Sequence, residues 1–197
     1  MENWKADCYE DMIMTGGDSG KIAFFEVESK EKAPRALKMG EIFITGIGKA
    51  KNRPMVASGN NNGETHLAVL LDENKEKVLP FNNHNKIVRD LCFVDDDSKL
   101  LSGADDAAIK MVDIASEKVV HTFEGHKLGV TSMTAFSDDS KIFFSTGFDK
   151  VLKTWDVRTN ACVTNTMTSS PLWDVRSLGN TLVTGGDSGV LFVYSMA

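Results

Sequence analysis

The sequence predicts an all-β fold assembled from five repeated units, and three observations predict it. The hexapeptide TGGDSG occurs twice, letter for letter, at residues 15–20 and 184–189. The segments that follow each TG or SG share one design: TGGDSGKIAFFEV (15–27), SGNNNGETHLAVLL (58–71), SGADDAAIKMVDI (102–114), STGFDKVLKTWDV (145–157) and TGGDSGVLFVYSM (184–196). Each has a small-residue strand end, a polar turn, and then a run rich in Ile, Val, Leu and aromatics, the make-up of a strand. The units also recur at a nearly fixed period. Anchored on Asp156, the equivalents are Glu26, Val69, Asp113 and Ser195, at steps of 43, 44, 43 and 39 residues. One extra residue in the second unit leaves Val69 or Leu70 as its anchor.

The units read as antiparallel strands a to d, except the last, which has a, b and c only. In the fourth unit these are 130–136, 141–145, 151–157 and 161–166. Alternation of apolar and polar residues is imperfect, as expected of strands buried on both faces. The short last step has a local cause. SLGNTLV makes a tight hairpin with Gly179-Asn180 at its tip, a pair suited to unusual φ, whereas AFSDDSKI in the fourth unit is a longer loop. Trp4 to Thr15 and Trp173 to Thr184 are both 11 residues, so the first and last units share the short hairpin. No Pro/Gly/Ser-rich linker or low-complexity tract interrupts the chain, and each unit needs its neighbours, so residues 1–197 are expected to form one domain.

A period near 43 with Gly-His before it and Trp-Asp at its end is the blade signature of β-propellers. Gly125-His126 in EGHKLGV and Trp155-Asp156 frame one such unit. The chain resembles the WD-repeat family along essentially its whole length. The match is fullest over 125–157. The unit 84–114 has Val112 where the family has Trp, and the other three match by spacing and pattern. The resemblance implies a WD-repeat β-propeller with five recognisable blades. It also implies a buried Trp–Ser–His–Asp hydrogen-bonded tetrad, carried here by His126, Ser145, Asp149 and Trp155. His84, Ser102 and Asp106 would form a partial tetrad that stops at Val112.

GDSG read alone looks like the nucleophile segment of trypsin-like proteases. The repeats give it another meaning: the end of strand b and the b–c turn, where Gly and Asp suit left-handed backbone. A protease needs its nucleophile once, with a histidine oriented by a third group, and Lys21 and Val190 stand where such enzymes have another Gly. Ser19 and Ser188 are therefore read as turn residues. The tetrad's Ser, His and Asp are read as structural, since pairing buried polar groups avoids a cost of about 1–3 kcal/mol each. No catalytic residue is expected.

Composition narrows the partners. The chain has 42% hydrophobic and 25% charged residues and a formal net charge of −6, which argues against a fold-wide basic field for nucleic acid. Lys49, Lys51 and Arg53, beside Pro54, read as a solvated loop. Cys8, Cys92 and Cys162 are odd in number and widely spaced, and His66, His84, His121 and His126 form no HExxH, so neither a disulfide framework nor a metal site is indicated. No cofactor is expected. MENWKADCYE has no signal-peptide character, and no apolar run approaches the roughly 18 residues of a membrane span. A cytoplasmic or nuclear protein is the expectation.

Protein partners remain. Phe148 stands in a b–c turn where Asp105 and Asn61 stand in other units, and an aromatic there either tucks against the next blade or anchors a partner. Trp4 and Trp173, which begin strand a in related blades, are further candidates beside burial, and so is Leu128 in the adjacent d–a loop. WDVR occurs at 155–158 and at 173–176. Only Arg158 lies at the end of strand c, where some ubiquitin-ligase receptors contact their adaptor. GKIAFFEVESKEK, IVRDLCFVDDDSKLLSGADDAAIKMVDIASEKVVHTFEGH, DKVLKTWDVRTNACVTNT and the ending GGDSGVLFVYSMA are similar to the WD-repeat subunit family of the superkiller complex, also found in the Paf transcription-elongation complex. That likeness implies a scaffold holding a helicase and a helical-repeat protein for mRNA decay. The family has seven blades, and this chain aligns with the last five. An open arc lacking about two N-terminal blades is thus expected, completed by upstream sequence or by another chain; closure of the five blades on themselves is the alternative.

Overall fold

The computed structural model describes residues 3–9, 12–26, 35–72 and 75–196. Among them there is no helix, and nineteen strands form five antiparallel sheets. The first sheet is β1 (Asn3–Tyr9), β2 (Met12–Gly17), β3 (Lys21–Glu26) and β4 (Arg35–Lys38). The second is β5 (Ile44–Lys49), β6 (Met55–Asn60), β7 (Glu64–Asp72) and β8 (Lys75–Asn82). The third is β9 (Val88–Val94), β10 (Lys99–Ala104), β11 (Ile109–Asp113) and β12 (Lys118–Phe123). The fourth is β13 (Val130–Ala135), β14 (Ile142–Gly147), β15 (Val151–Asp156) and β16 (Ala161–Met167). The fifth has three strands, β17 (Leu172–Leu178), β18 (Thr181–Gly186) and β19 (Leu191–Ser195). Each is a simple meander of successive strands, the blade of a five-blade β-propeller.

The register reproduces the repeat. Trp155 pairs with Phe143, and the same lattice position pairs Phe25 with Ile13, Ala68 with Val56, Val112 with Leu100 and Tyr194 with Leu182. The residue after each is therefore Glu26, Val69, Asp113, Asp156 or Ser195, which selects Val69 over Leu70. Leu178 and Thr181 close the hairpin over Gly179, whose φ is +56°, a left-handed value that glycine adopts without a Cβ clash.

The core lies between blades. Strand b explains the imperfect alternation, because both of its faces are buried. Phe143 packs backwards with Met111, Phe123 and Val130, while its neighbour Phe144 packs forwards with Leu172 and Val175. Leu100 and Leu101 divide in the same way. Gly59 and Gly103 sit where the next blade's first strand comes closest. A Cβ on Gly59 would stand 2.3 Å from Val88 Cγ1, and one on Gly103 2.8 Å from Val130 Cγ1.

Five blades share four such cores, and among the described residues no core joins the fifth blade to the first. Both half-interfaces are open. Leu191 on the fifth blade, the equivalent of the buried Leu152, is 71% exposed, and Val193 is 66% exposed. On the first blade, Ile13 and Phe25 occupy the places of Phe143 and Trp155 and are exposed.

Candidate functional site

The structure brings His126, Ser145, Asp149 and Trp155 into one hydrogen-bonded chain. Trp155 Nε1–H donates to Ser145 Oγ at 2.8 Å, and Ser145 Oγ lies 2.8 Å from His126 Nε2. His126 Nδ1 lies 2.9 Å from Asp149 Oδ2. With the serine hydroxyl donating to Nε2, Nδ1 carries the proton that Asp149 accepts. Asp149 also accepts the backbone N–H of Lys127 at 2.9 Å and of Val151 at 3.3 Å. The chain pins the d–a loop to strand b, strand c and the b–c turn. Burial pushes the Asp149 carboxyl up, but His126 and the two N–H donors outweigh this and hold it below the usual carboxylate range.

This Ser-His-Asp set cannot act as a nucleophile with its base. Ser145 is fully buried, and its oxygen already receives the Trp155 indole proton. Ser188 has a different place in the lattice. Following Gly186 and Asp187, it stands where Asp149 follows Gly147 and Phe148, and it caps the turn in the same way, accepting Val190 N–H at 3.3 Å. The recurring GDSG serine is the turn-capping equivalent of the tetrad aspartate.

In the third blade, His84 Nδ1 lies 2.9 Å from Asp106 Oδ2, and His84 Nε2 lies 2.8 Å from Ser102 Oγ. Burial pushes the His84 imidazole down against the pull of Asp106. The chain does not stop at Val112. Asn83 Nδ2–H donates to Ser102 Oγ at 3.0 Å, as an indole would, and Thr65 Oγ1–H donates to Asn83 Oδ1 at 2.9 Å. Asn83 thereby extends the chain into the second blade. Sequence reasoning missed it, because it comes from the d–a loop and not from strand c. Its one signal was a polar residue directly before the repeat histidine.

The same face of the propeller, built by b–c turns and d–a loops, carries an aromatic cluster. Phe148 meets Trp173 of the next blade edge to face, with ring centroids 5.0 Å apart. The Arg89 guanidinium lies over Phe148 at 5.5 Å. Asp105 fixes Arg89 through two bonds of 2.8 and 2.7 Å, and the Trp173 indole N–H donates to Asp187. Phe148 is half-buried in this contact, whereas Trp173 is 50% and Leu128 55% exposed. Trp4 falls on β1, and its side chain lies outside the described residues. Arg158 is on the opposite face, half-exposed and held by Asp156 and Asp139. Lys49, Lys51 and Arg53 are exposed.

Residues 75–113 and 117–156 match the family model described as "WD domain, G-beta repeat". The chain is also similar to "WD repeat-containing protein 55 homolog" of Drosophila ananassae, 27% identical over 135 residues, covering 68% of this chain and 27% of that protein. The proteins of the same description from Drosophila erecta and Drosophila melanogaster are 27% and 25% identical, each over 70% of this chain and 27% of the relative. The chain thus spans about a quarter of the length of the curated relatives it matches. Two matched repeats, five blades in one register and a complete tetrad agree: the chain is a five-blade β-propeller that carries WD40 repeats.

Proposed function

We propose that the chain is a non-catalytic protein–protein interaction scaffold, and that it binds through the face formed by the b–c turns and d–a loops. The observation that carries this reading is the half-exposed Trp173, braced by Phe148 and Asp187. A rigid, partly exposed aromatic is the kind of side chain that dominates interface energetics. Its orientation is fixed before a partner arrives, which reduces the ordering cost of binding.

The finer reading is an adaptor of a superkiller-type mRNA-decay or Paf-type transcription complex. Its support is the sequence likeness over 87–114 and 118–166. On it, two further blades complete the arc, and the partners are a helicase and a helical-repeat protein. The competing reading, a substrate receptor of a cullin-type ubiquitin ligase, rests on Arg158 alone.

Affinity purification with mass spectrometry identifies the partner, and calorimetry with that purified partner tests the face. Phe148→Ala is expected to weaken binding by more than about 1 kcal/mol with the fold intact, because Trp173 loses its brace. Arg158→Ala is expected to leave affinity unchanged. Equal affinity for Phe148→Ala, or loss of a ligase adaptor on Arg158→Ala, would overturn the assignment.

A further inference from the structure

The first strands of the blades stand side by side on the inner side of the arc, along a cavity of about 800 Å3. Asp90 on β9 lines it and meets Ser132 on β13, which in turn meets Asp174 on β17. Ser132 Oγ lies 2.9 Å from Asp90 Oδ2 and 2.7 Å from Asp174 Oδ1. Arg176 Nη1 lies 3.3 Å from the same serine oxygen and 3.0 Å from Asp174 Oδ1.

A serine hydroxyl has one proton and two lone pairs. The Arg176 N–H takes one lone pair. The serine proton goes to one carboxylate, so the second lone pair faces an oxygen of the other. Two bare oxygens at that distance repel, and one further proton turns the contact into a hydrogen bond. Asp174 is half-exposed and paired with the Arg176 guanidinium, so it is the anion that accepts the serine proton. Asp90 is 4% exposed, and its Oδ2 also receives Met133 N–H at 2.8 Å.

We propose that Asp90 holds a proton and donates it to Ser132, which donates to Asp174, so that one proton ties β9, β13 and β17 together. Trp173 precedes Asp174 on β17, so its seating against Phe148 becomes dependent on pH. The link stands whether or not Trp173 binds a partner.

The surroundings favour the neutral acid. Burial pushes the Asp90 carboxyl up, against the opposing pull of Lys5 on β1, Arg176 on β17, Met133 N–H and Ser132. Asp7 on β1 and Lys49 on β5 also line the cavity. Lys99 on β10 is engaged by Asp95, and β6 carries no titratable side chain. Cys92, on β9 itself, has its thiol pushed up to about 12 by burial and by Asp90, and stays neutral. Because the folded value is raised, the stability from this proton is full below the ordinary carboxylate range. It is lost as pH rises through Asp90's own value.

Carboxyl-detected NMR of the wild-type chain tests this. The Asp90 carboxyl should titrate above the ordinary carboxylate range, and the Trp173 indole N–H resonance should move with the same midpoint. In Asp90→Asn, the amide N–H replaces the donated proton, so the Trp173 resonance should keep its low-pH position throughout. In Ser132→Ala, Asp90 should still titrate while Trp173 no longer follows. Titration of Asp90 within or below the ordinary range overturns the proposal, as does a Trp173 resonance that ignores Asp90 in the wild type. Should Asp90→Asn fail to fold, the wild-type titration decides alone.

Discussion

Replacing Trp155 by alanine is expected to lower the free energy of unfolding by about 3–5 kcal/mol, the usual range for a buried Trp→Ala change. Trp155 is 2% exposed. It stacks on Phe143 with centroids 6.0 Å apart and meets Phe123 edge to face at 5.4 Å, so its loss opens a cavity in the core shared by the third and fourth blades. It also removes the donor to Ser145 Oγ, which keeps only His126. Equilibrium urea denaturation measures the effect. Trp155→Phe keeps a six-membered ring in the core but loses the donor and part of the volume, so it should recover part of the stability. A midpoint for Trp155→Ala within error of wild type would exclude this role for Trp155.

Asp149→Ala is expected to cost about 1–3 kcal/mol without creating a large cavity. His126 would remain buried with its Nδ1 proton unpaired, and the N–H groups of Lys127 and Val151 would lose their acceptor. Acid should mimic the substitution. Asp149 and Asp106 both have carboxyls held below the usual range, so the stability they contribute is full above the ordinary carboxylate value. It is lost as pH falls through their folded values. The acid limb of a stability–pH curve should therefore be shallower in Asp149→Ala than in wild type. An unchanged denaturant midpoint at neutral pH would exclude the role.

The repeat was legible because blade geometry leaves a periodic trace. Asp156, Asp113 and Glu26 share one lattice position, and spacing alone relates them. The tetrad of the fourth blade was legible only through the resemblance to the WD-repeat family, whose pattern falls on His126, Ser145, Asp149 and Trp155. What was not legible arises between blades. Asn83 joins two of them from a loop with no strand pattern, and Thr65 joins it from the blade before. Phe148 could be read either as a free anchor or as a tucked ring. The choice depended on Arg89 and Trp173, which are distant from it in sequence and adjacent only after packing. The Asp90–Ser132–Asp174 contact is of the same kind, with steps of 42 residues between members. Offsets near the period mark lateral neighbours, but many residue pairs share such an offset without touching.

Because each core is shared by two consecutive blades, cohesion in this molecule is a nearest-neighbour property. Among the described residues, the three middle blades are each clamped from both sides, while the first and the fifth are held from one. Opening therefore begins at the extremities and travels inward, and the third blade, farthest from both, is the last to let go. The proposed recognition surface spans that boundary. Arg89 and Phe148 sit on doubly clamped blades and Trp173 on a singly clamped one, so the half of the surface that a partner meets most openly relies on the contacts of Trp173 with Phe148 and Asp187 to hold it in place. Anything that covers the Leu191 and Val193 flank would stiffen Trp173 from a distance, without touching the face on which it stands.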